Sequence, residues 1–300
     1  MTKDYLAIDV GGTRLKVGLI DRSGNIIEKF SELTNTAGLE AFLGQLRDVI
    51  GRYDGKIRGV GFSLPGKLAH PDDTIKGGGS LTFMDGVNLR DKLALDIPIA
   101  VENDGKAAAL AELWLGQLKD VQDGMAIVLG TGVGGGLVLN GNLVYGTHFQ
   151  AGELSFIFNQ LEKGMDTSIG LNGSAVEMIK RIGTELKLPE IDDGLAVFEH
   201  INAGNPVAVD IFDAYAAEIA LLIQNIQAIV DVQRIVIGGG ISAQPIVAER
   251  IRDQYMTFFE GNEVVAGTLT PAEIVGGQFA NDANLFGAIY HLLMELNQEV

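Results

Sequence analysis

The chain has 300 residues, of which 47% are hydrophobic and 20% charged, with 40 glycines and a formal net charge of −17. This length and apolar content suit one large domain or two of ordinary size and argue against disorder. The acidic balance argues against general affinity for nucleic acid or an anionic membrane, and the lack of cysteine excludes disulfides, cysteine-ligated zinc and thiol catalysis. No apolar run approaches the roughly 18 residues that span a bilayer, and no signal-peptide pattern is present, so we expect a cytoplasmic protein without a membrane partner.

The first predicted element, Tyr5–Asp21, is a pair of antiparallel strands joined by a glycine turn. An apolar run ends at Asp9, two glycines follow, and apolar residues then alternate with other residues. Glycine N–H groups can face a large anion, and a carboxylate beside that anion makes sense if Mg²⁺ on a nucleotide lies between them. The alternative is an ordinary hairpin in which Asp9 supports an Asx-type turn.

The same pattern recurs at Met125–Tyr145. An apolar strand, Met125–Leu129, meets a second glycine turn, and another strand, Gly135–Leu139, follows. Two such segments indicate duplicated lobes that face one another. Two glycine turns at a shared cleft would hold a phosphate chain from both sides.

Between these segments the sequence predicts a helix at Leu39–Ile50 and a strand at Ile57–Leu64 that ends at Pro65-Gly66. Ligands of α/β sheets bind at such strand ends, so Gly66 is a candidate substrate contact. The polar segment His70–Asn88 is long for a connection, which favours a functional loop or lid; the alternative is a plain surface excursion.

A polar cluster, Glu102-Asn103-Asp104, lies between the predicted strand Ile97–Val101 and the predicted helix Lys106–Leu118. A carboxylate and a carboxamide together suit two neighbouring hydroxyl groups. The helix dipole favours an ionised Asp104, which could then accept the proton of an attacking hydroxyl. The alternative is that Asn103 or Asp104 is simply a helix N-cap.

The second half of the chain continues to alternate helices and strands. Helices are predicted at Ser174–Ile182, Ala196–His200, Asp210–Asp231, Gln244–Phe258 and Asn284–Leu296, and strands at Arg234–Ile237 and Glu273–Val275. Glu153 stands alone in a weakly polar segment and is a candidate partner for sugar hydroxyls or backbone amides. The triplet Gly238–Gly240 is either a packing turn or a platform for adenine or ribose.

Six segments together resemble the ROK family of sugar kinases, whose fold is that of hexokinase, actin and the heat-shock ATPases. They are DVGGT at Asp9–Thr13, FSLPG at Phe62–Gly66, VENDGKAAALAE at Val101–Glu112, LGTGVGGG at Leu129–Gly136, AGE at Ala151–Glu153 and IVIGGGIS at Ile235–Ser242. The resemblance implies an α/β protein with a duplicated ribonuclease-H-like fold and two lobes around a central cleft. Residues 1–118 and 285–300 would form the small lobe on the sugar and phosphate side, and residues 119–284 the large lobe on the nucleotide side.

The resemblance also implies the activity and the site. The protein would transfer a phosphoryl group from ATP, with Mg²⁺, to a sugar hydroxyl, and Asp104 would be the general base. The residues that would contact the sugar are Gly66, Asn103, Asp104, Glu153 and Phe156. The residues that would bind ATP are Asp9, Gly11, Gly12, Thr13, Gly130, Thr131, Gly132, Gly134, Gly238, Gly239 and Gly240, with Asp9 holding Mg²⁺ through water. The family is often dimeric, so a homodimer is expected.

Three departures from the family pattern concern zinc and the anomeric hydroxyl of the sugar. Phe156 stands where the family has a histidine that contacts both, and the region that matches the cysteine-rich zinc motif, roughly Lys163–Asn172, has no cysteine or histidine. A glutamate that follows the zinc motif is replaced, on our alignment by Asn172. We therefore predict no structural zinc. Losing polar contacts to a free anomeric hydroxyl disfavours a free reducing sugar. In this respect the chain resembles the subgroup of the family that phosphorylates β-glucosides such as cellobiose at the 6-hydroxyl, and the resemblance implies that activity.

Other functions stay open at this point. One is a glucokinase that has lost zinc and kept glucose as its substrate, and another is a kinase for a different hexose, such as N-acetylmannosamine or fructose. A third is a non-catalytic sugar-sensing regulator of the same family. Family regulators carry a DNA-binding domain before the kinase-like part, whereas here the DVGGT turn begins at Asp9.

Overall fold

The computed structural model describes residues 4–69, 73–159 and 167–298. The chain folds into two compact units. The first consists of Met1–Lys119, Leu143–Ala151 and Asp282–Val300, and the second of Asp120–Asn142 and Gly152–Asn281. The predicted lobes, 1–118 with 285–300 and 119–284, place Leu143–Ala151 with the second unit, whereas this segment packs with the first.

The secondary structure follows the predicted alternation. The strands are β1 (Asp4–Val10), β2 (Arg14–Ile20), β3 (Ile26–Leu33), β4 (Ile57–Leu64), β5 (Lys67–Ala69), β6 (Thr74–Lys76), β7 (Ile99–Asn103), β8 (Gly124–Leu129), β9 (Val133–Leu139), β10 (Asn142–Val144), β11 (Arg234–Gly238) and β12 (Glu273–Gly276). The helices are α1 (Leu39–Gly51), α2 (Leu89–Leu93), α3 (Asp104–Trp114), α4 (Ile169–Asn172), α5 (Ala175–Glu185), α6 (Gly194–Asn202), α7 (Pro206–Val230), α8 (Pro245–Met256), α9 (Glu263–Thr268) and α10 (Ala283–Gln298).

Among the described residues, the sheet of the first unit has the strand order β3-β2-β1-β4-β7. Strands β1, β2 and β3 are antiparallel neighbours, whereas β1, β4 and β7 run parallel. Successive residues of β1 point to opposite faces. Leu6 and Ile8 belong to one apolar cluster together with residues of α1. Tyr5 and Ala7 belong to another with residues of α10, so helices cover both faces of this sheet.

Helix α10 approaches its neighbours very closely. A Cβ atom on Gly287 would lie 1.8 Å from the carbonyl oxygen of Ala107 in α3, and one on Gly61 would lie 2.3 Å from the carbonyl oxygen of Ala288. No side chain fits at such distances unless the backbone moves. These two glycines therefore set how closely α10 packs on α3 and β4.

The second unit repeats the topology of the first. In the described part of the chain its strands β9, β8, β11 and β12 are neighbours in that order; β8 and β9 are antiparallel, and β8, β11 and β12 run parallel. This correspondence confirms the predicted duplication. The 25-residue helix α7 fills the core with Phe212, Ile219 and Ile223. Neither α7 nor any other helix among the described residues is long and apolar enough to cross a bilayer.

The predicted loop His70–Asn88 lies partly outside the described residues, which resume at Asp73. The described part contains β6 and a short 3₁₀ helix, Thr82–Met84. Ile75 and Leu81 are almost completely buried, at 0% and 1% exposure. This part of the segment is therefore anchored in the core of the first unit and is not a plain surface excursion.

Candidate active site

The sugar-binding candidates of the first unit meet at one edge of its sheet. Strands β1, β4 and β7 are parallel, so their carboxyl ends lie side by side. In register, Asp9 is opposite Ser63, and Leu64 is opposite Asn103. The pairing of β4 with β7 extends β7 to Asn103, two residues beyond the predicted end of the strand.

Asn103 is the N-cap of α3. Its side-chain oxygen accepts the N–H of Lys106 at 3.2 Å, and its Nδ2 donates to the carbonyl of Gly66 at 2.9 Å and to Asp104 Oδ1 at 3.1 Å. The capping alternative is therefore correct for Asn103, which is buried with 8% exposure. A direct contact between Asn103 and a sugar stays a prediction.

Asp104 is the first residue of α3, and its side chain is exposed. Its Oδ1 accepts the N–H of Gly105 at 2.7 Å in addition to the bond from Asn103. These two bonds fix the orientation of the carboxylate. The positive end of the helix dipole stabilises its charge. Asp104 thus presents an oriented carboxylate at the edge where three parallel strands end.

Gly66 holds the turn that receives Asn103. Its backbone has φ of 95°, a region that favours glycine, and a Cβ atom there would lie 2.5 Å from the carbonyl oxygen of Gly77. The carbonyl oxygen of Gly66 accepts the hydrogen bond from Asn103 Nδ2. Gly66 therefore supports the geometry of the strand ends as well as lying at the predicted substrate edge.

The glycine turn after β1 is held by side chains that the sequence did not reveal. Asp9 Oδ1 accepts a hydrogen bond from Asn284 in α10 at 3.0 Å, and its Oδ2 lies 3.3 Å from Lys16 Nζ. Thr34 Oγ1 donates to the carbonyl of Gly11 at 2.6 Å. A Cβ atom on Gly12 would lie 2.1 Å from the hydroxyl oxygen of Ser80, so a side chain there would require Ser80 to move.

The second unit brings its two glycine turns together at the end of its own sheet. Gly238 pairs with Val128 in parallel register, so the turns after β8 and β11 are neighbours. Gly239 has φ of 93°, and a Cβ atom on it would lie 2.1 Å from the carbonyl oxygen of Leu129. The carbonyl of Gly130 accepts the N–H of Ala175 at 3.0 Å, which ties this turn to the start of α5.

A cavity of about 650 Å³ opens at this edge of the second unit. Its walls come from the end of β8, the first turn of α5, the segment that leads into α6 and the residues after β11. The lining residues are Leu129, Gly130, Ala175, Val176, Ile179, Glu190, Asp192, Asp193, Gly194, Leu195, Phe198, Gly240, Ile241 and Gln244. Its size and mixed lining are typical of a small-molecule site. Of the predicted ATP-binding residues, Gly130 and Gly240 line it.

Glu153 precedes a short 3₁₀ helix, Leu154–Phe156, in the second unit, and Phe156 is the last residue of that helix. The ring of Phe156 is 65% exposed, so it is accessible to a ligand. Between them, the hydroxyl of Ser155 accepts the N–H of Val133 at 2.9 Å and donates to the carbonyl of the same residue at 3.0 Å. Ser155 thus fixes the second glycine turn to this helix, a role that the sequence did not suggest.

The candidate zinc region, Lys163–Asn172, lies partly outside the described residues. Within 4–69, 73–159 and 167–298, no group of three or more His, Cys, Asp or Glu side chains could hold a metal ion. The absence of structural zinc stays a prediction. Asn172, the last residue of α4, is exposed.

Residues 5–294 match the ROK family, and the chain belongs to this family. A curated relative, the beta-glucoside kinase of Listeria innocua, is 31% identical over 309 residues, which cover 97% of this chain and 98% of the relative. The predicted family and fold class are confirmed.

Two solved structures show how far the similarity of fold extends. A ROK family protein from Streptococcus pneumoniae in complex with sucrose has a TM-score of 0.86 at 26% identity, with 98% of this chain and 99% of that chain covered. A ROK family glucokinase from Streptomyces griseus in complex with glucose and AMPPNP has a TM-score of 0.82 at 25% identity, with 95% and 97% covered.

Proposed function

We propose that this protein transfers the terminal phosphoryl group of ATP to a hydroxyl of a sugar, with Asp104 as the general base. The observation that carries the proposal is the exposed, oriented carboxylate of Asp104 at the start of α3, beside Asn103 and Gly66. The similarity to a beta-glucoside kinase and to a glucokinase supports the same class of reaction.

Asp104 is suited to proton transfer by its position and its hydrogen bonds. A general base must reach the hydroxyl proton in its charged form, and the helix terminus favours that form. In phosphoryl transfer the protein contributes mainly by positioning the groups and stabilising charge. The bonds from Gly105 and Asn103 hold the carboxylate ready to accept the proton as the hydroxyl attacks phosphorus.

The nucleotide would use both glycine turns. Asp9 would hold Mg²⁺ through water, and Mg²⁺ would neutralise charge on the phosphates. Gly11, Gly12 and Thr13 would face the phosphates from the first unit. From the second unit the corresponding residues would be Gly130, Thr131, Gly132 and Gly134, with Gly238, Gly239 and Gly240 near the adenosine.

The cavity of the second unit would receive the nucleoside. We expect that Val176→Trp, which places a large ring in the cavity, raises the KM for ATP at least about tenfold and leaves the KM for the sugar within about twofold. Initial rates at varied ATP and varied sugar measure both constants. Val207→Trp, near the start of α7 and outside the cavity, is the matched control. An unchanged KM for ATP in Val176→Trp would place the nucleoside elsewhere.

The preferred sugar would be a β-glucoside phosphorylated at its 6-hydroxyl. The exposed ring of Phe156 could pack against an aglycone or a second sugar, whereas it cannot donate or accept a hydrogen bond at a free anomeric hydroxyl. Glu153 would hold other hydroxyls of the sugar. ATP turnover with Mg²⁺ against glucose, cellobiose, a β-glucoside, N-acetylmannosamine and fructose tests this choice.

We expect that Phe156→His raises kcat/KM for glucose relative to the β-glucoside by about tenfold, because it restores a polar side chain near the anomeric position. Phe158→His is the matched control, since Phe158 is another exposed phenylalanine, at 44%, in the same segment. If both variants keep the ratio of the wild type, Phe156 does not contact the aglycone. If no sugar stimulates ADP formation by the wild type, the kinase proposal itself fails.

Two expectations from the family resemblance remain predictions. They are a homodimer, which light scattering on the purified protein would measure, and a cytoplasmic location. Neither is needed for the proposed reaction.

A further inference from the structure

A row of buried polar side chains crosses the sheet of the first unit beneath α10. Asp9 in β1 pairs in register with Ser63 in β4, and Ser63 pairs with Glu102 in β7. Their exposures are 7%, 0% and 0%. Residues in register point to the same face, and this face is otherwise an apolar cluster that includes residues of α10. The two carboxylates at the ends of the row therefore need partners.

Helix α10 supplies a polar side chain at each end. Asn284 donates to Asp9 Oδ1 at 3.0 Å, and His291 Nδ1 lies 3.6 Å from Glu102 Oε2. Two turns of helix separate Asn284 from His291 and advance about 11 Å. The strands β1 and β7 are two strand spacings apart, which is about 9.6 Å. The rise of the helix thus matches the width of the row.

Glu102 is a completely buried carboxylate with partners on both oxygens. Its Oε1 accepts the N–H of Asn103 at 2.7 Å, and its Oε2 accepts the hydroxyl of Tyr145 at 2.6 Å. Burial and the charge of Glu102 raise the pKa of Tyr145, so the phenol keeps its proton and donates it. Tyr145 belongs to Leu143–Ala151, the segment that joins the first unit.

His291 lies among three carboxylates and one guanidinium. The Nε2 atom of His291 is 3.1 Å from Glu295 Oε1. The guanidinium of Arg90 donates hydrogen bonds to both oxygens of Glu295, at 2.7 and 2.9 Å, and to Asp73, at 2.6 Å. Burial lowers the pKa of His291, but the contact with Glu295 and the charge of Glu102 outweigh this effect. The charges of Glu295 and Asp73 act in the same direction, so the pKa of His291 lies above its usual value.

The same partners act on Glu295. Burial raises the pKa of Glu295, but His291 and Arg90 outweigh burial and lower it. Glu295 therefore stays negatively charged over the pH range in which His291 is protonated. A protonated imidazole then lies between the carboxylates of Glu102 and Glu295.

We propose that Glu102, Tyr145 and His291 are positioning residues for Asp104, and that protonated His291 is the form that holds Glu102 in place. This inference rests on the proposed kinase function for its catalytic consequence. The link is direct: Glu102 holds the backbone N–H of Asn103, and Asn103 caps α3 and donates to Asp104. None of the three positioning residues needs to touch the sugar.

The first test does not depend on activity. The chain has four histidines, so the imidazole signals are few, and His291→Gln assigns the signal of His291 by NMR. We expect the signal to titrate above the usual range for histidine and Glu102→Gln to move the midpoint to lower pH. Glu112→Gln is the matched control, because Glu112 is also buried in this unit and accepts one backbone N–H, that of Gln117. An unchanged midpoint in Glu102→Gln would overturn the coupling.

The second test is the pH profile of kcat. As the pH rises through the pKa of His291, the imidazole loses its charge and Glu102 loses its cationic neighbour, so kcat of the wild type should fall on the alkaline side. In His291→Gln, kcat should be lower and this alkaline decrease should be absent. A purely structural role would lower stability and leave the shape of the profile unchanged, and a profile parallel to the wild type would overturn the proposal.

The third test removes one hydroxyl. We expect Tyr145→Phe to lower kcat about 10- to 100-fold by loosening the strand end, with the KM for ATP unchanged. Tyr255→Phe is the control, because it removes a buried tyrosine hydroxyl that is hydrogen-bonded away from Asp104, to the N–H of Ala272 in the second unit. Full activity of Tyr145→Phe would contradict the positioning role. If the wild type showed no kinase activity, the proposed kinase function would be wrong. The NMR titration would still test whether Glu102 and His291 are coupled.

Discussion

Asp104→Asn should lower kcat about 10²- to 10⁴-fold, the range that a general base contributes, with little change in sugar affinity. The amide oxygen of asparagine can still accept the bonds from Gly105 and Asn103. The fold and the orientation of the side chain should therefore persist while the basic oxygen is lost. Steady-state rates give kcat, and isothermal titration with the sugar gives the affinity.

The control for this variant is Asp91→Asn. Asp91 is also an exposed aspartate in the first turn of a helix of the first unit, here α2. Both changes remove a charge near a helix N-terminus, which costs about 0.3–1 kcal/mol of stability in each case. Only Asp104→Asn should lose turnover. Near-normal kcat in Asp104→Asn would show that another group takes the proton.

Gly287→Ala should lower the free energy of unfolding by about 3 kcal/mol or more, which is the upper range for overpacking. The added methyl group would lie 1.8 Å from the carbonyl oxygen of Ala107, a backbone atom that cannot rotate away. Helix α10 or α3 would have to shift. Thermal unfolding followed by circular dichroism measures the loss as a lower midpoint.

Gly44→Ala is the matched change in open space. Gly44 lies inside α1, and nothing is within 4 Å of a Cβ atom built on it. Alanine should therefore stabilise this helix by about 0.5–1 kcal/mol. If both variants unfold at the same midpoint, α10 is not seated on α3 as closely as the structure shows.

Much of the fold and part of the site could be predicted from the sequence, because those features depend on neighbouring residues. The apolar run that ends at Asp9, followed by Val10 and two glycines, specifies a strand and a turn locally. Asn103 and Asp104 lie between a strand and a helix, so their place at a sheet edge follows from spacing alone. The duplication was visible because both glycine turns follow strands of similar pattern.

The partners of these residues could not be predicted, because they come from distant parts of the chain. Asn284 contacts Asp9 across 275 positions, and His291 approaches Glu102 from the last helix. A histidine in the apolar pattern of α10 was the one signal that marked this contact. Tyr145 lies in a segment that the sequence placed in the other lobe, so its bond to Glu102 was not expected.

The packing of α10 on the sheet of the first unit also has a consequence for synthesis on the ribosome. Leu285, Ile289 and Leu292 are completely buried against the sheet of the first unit, yet the ribosome makes them only after the residues of the second unit. The strands β1 to β7 leave the ribosome long before their covering helix. Until α10 has been made, one apolar face of this sheet stays uncovered in the nascent chain. The first unit therefore completes its core only after the residues of the second unit have been made.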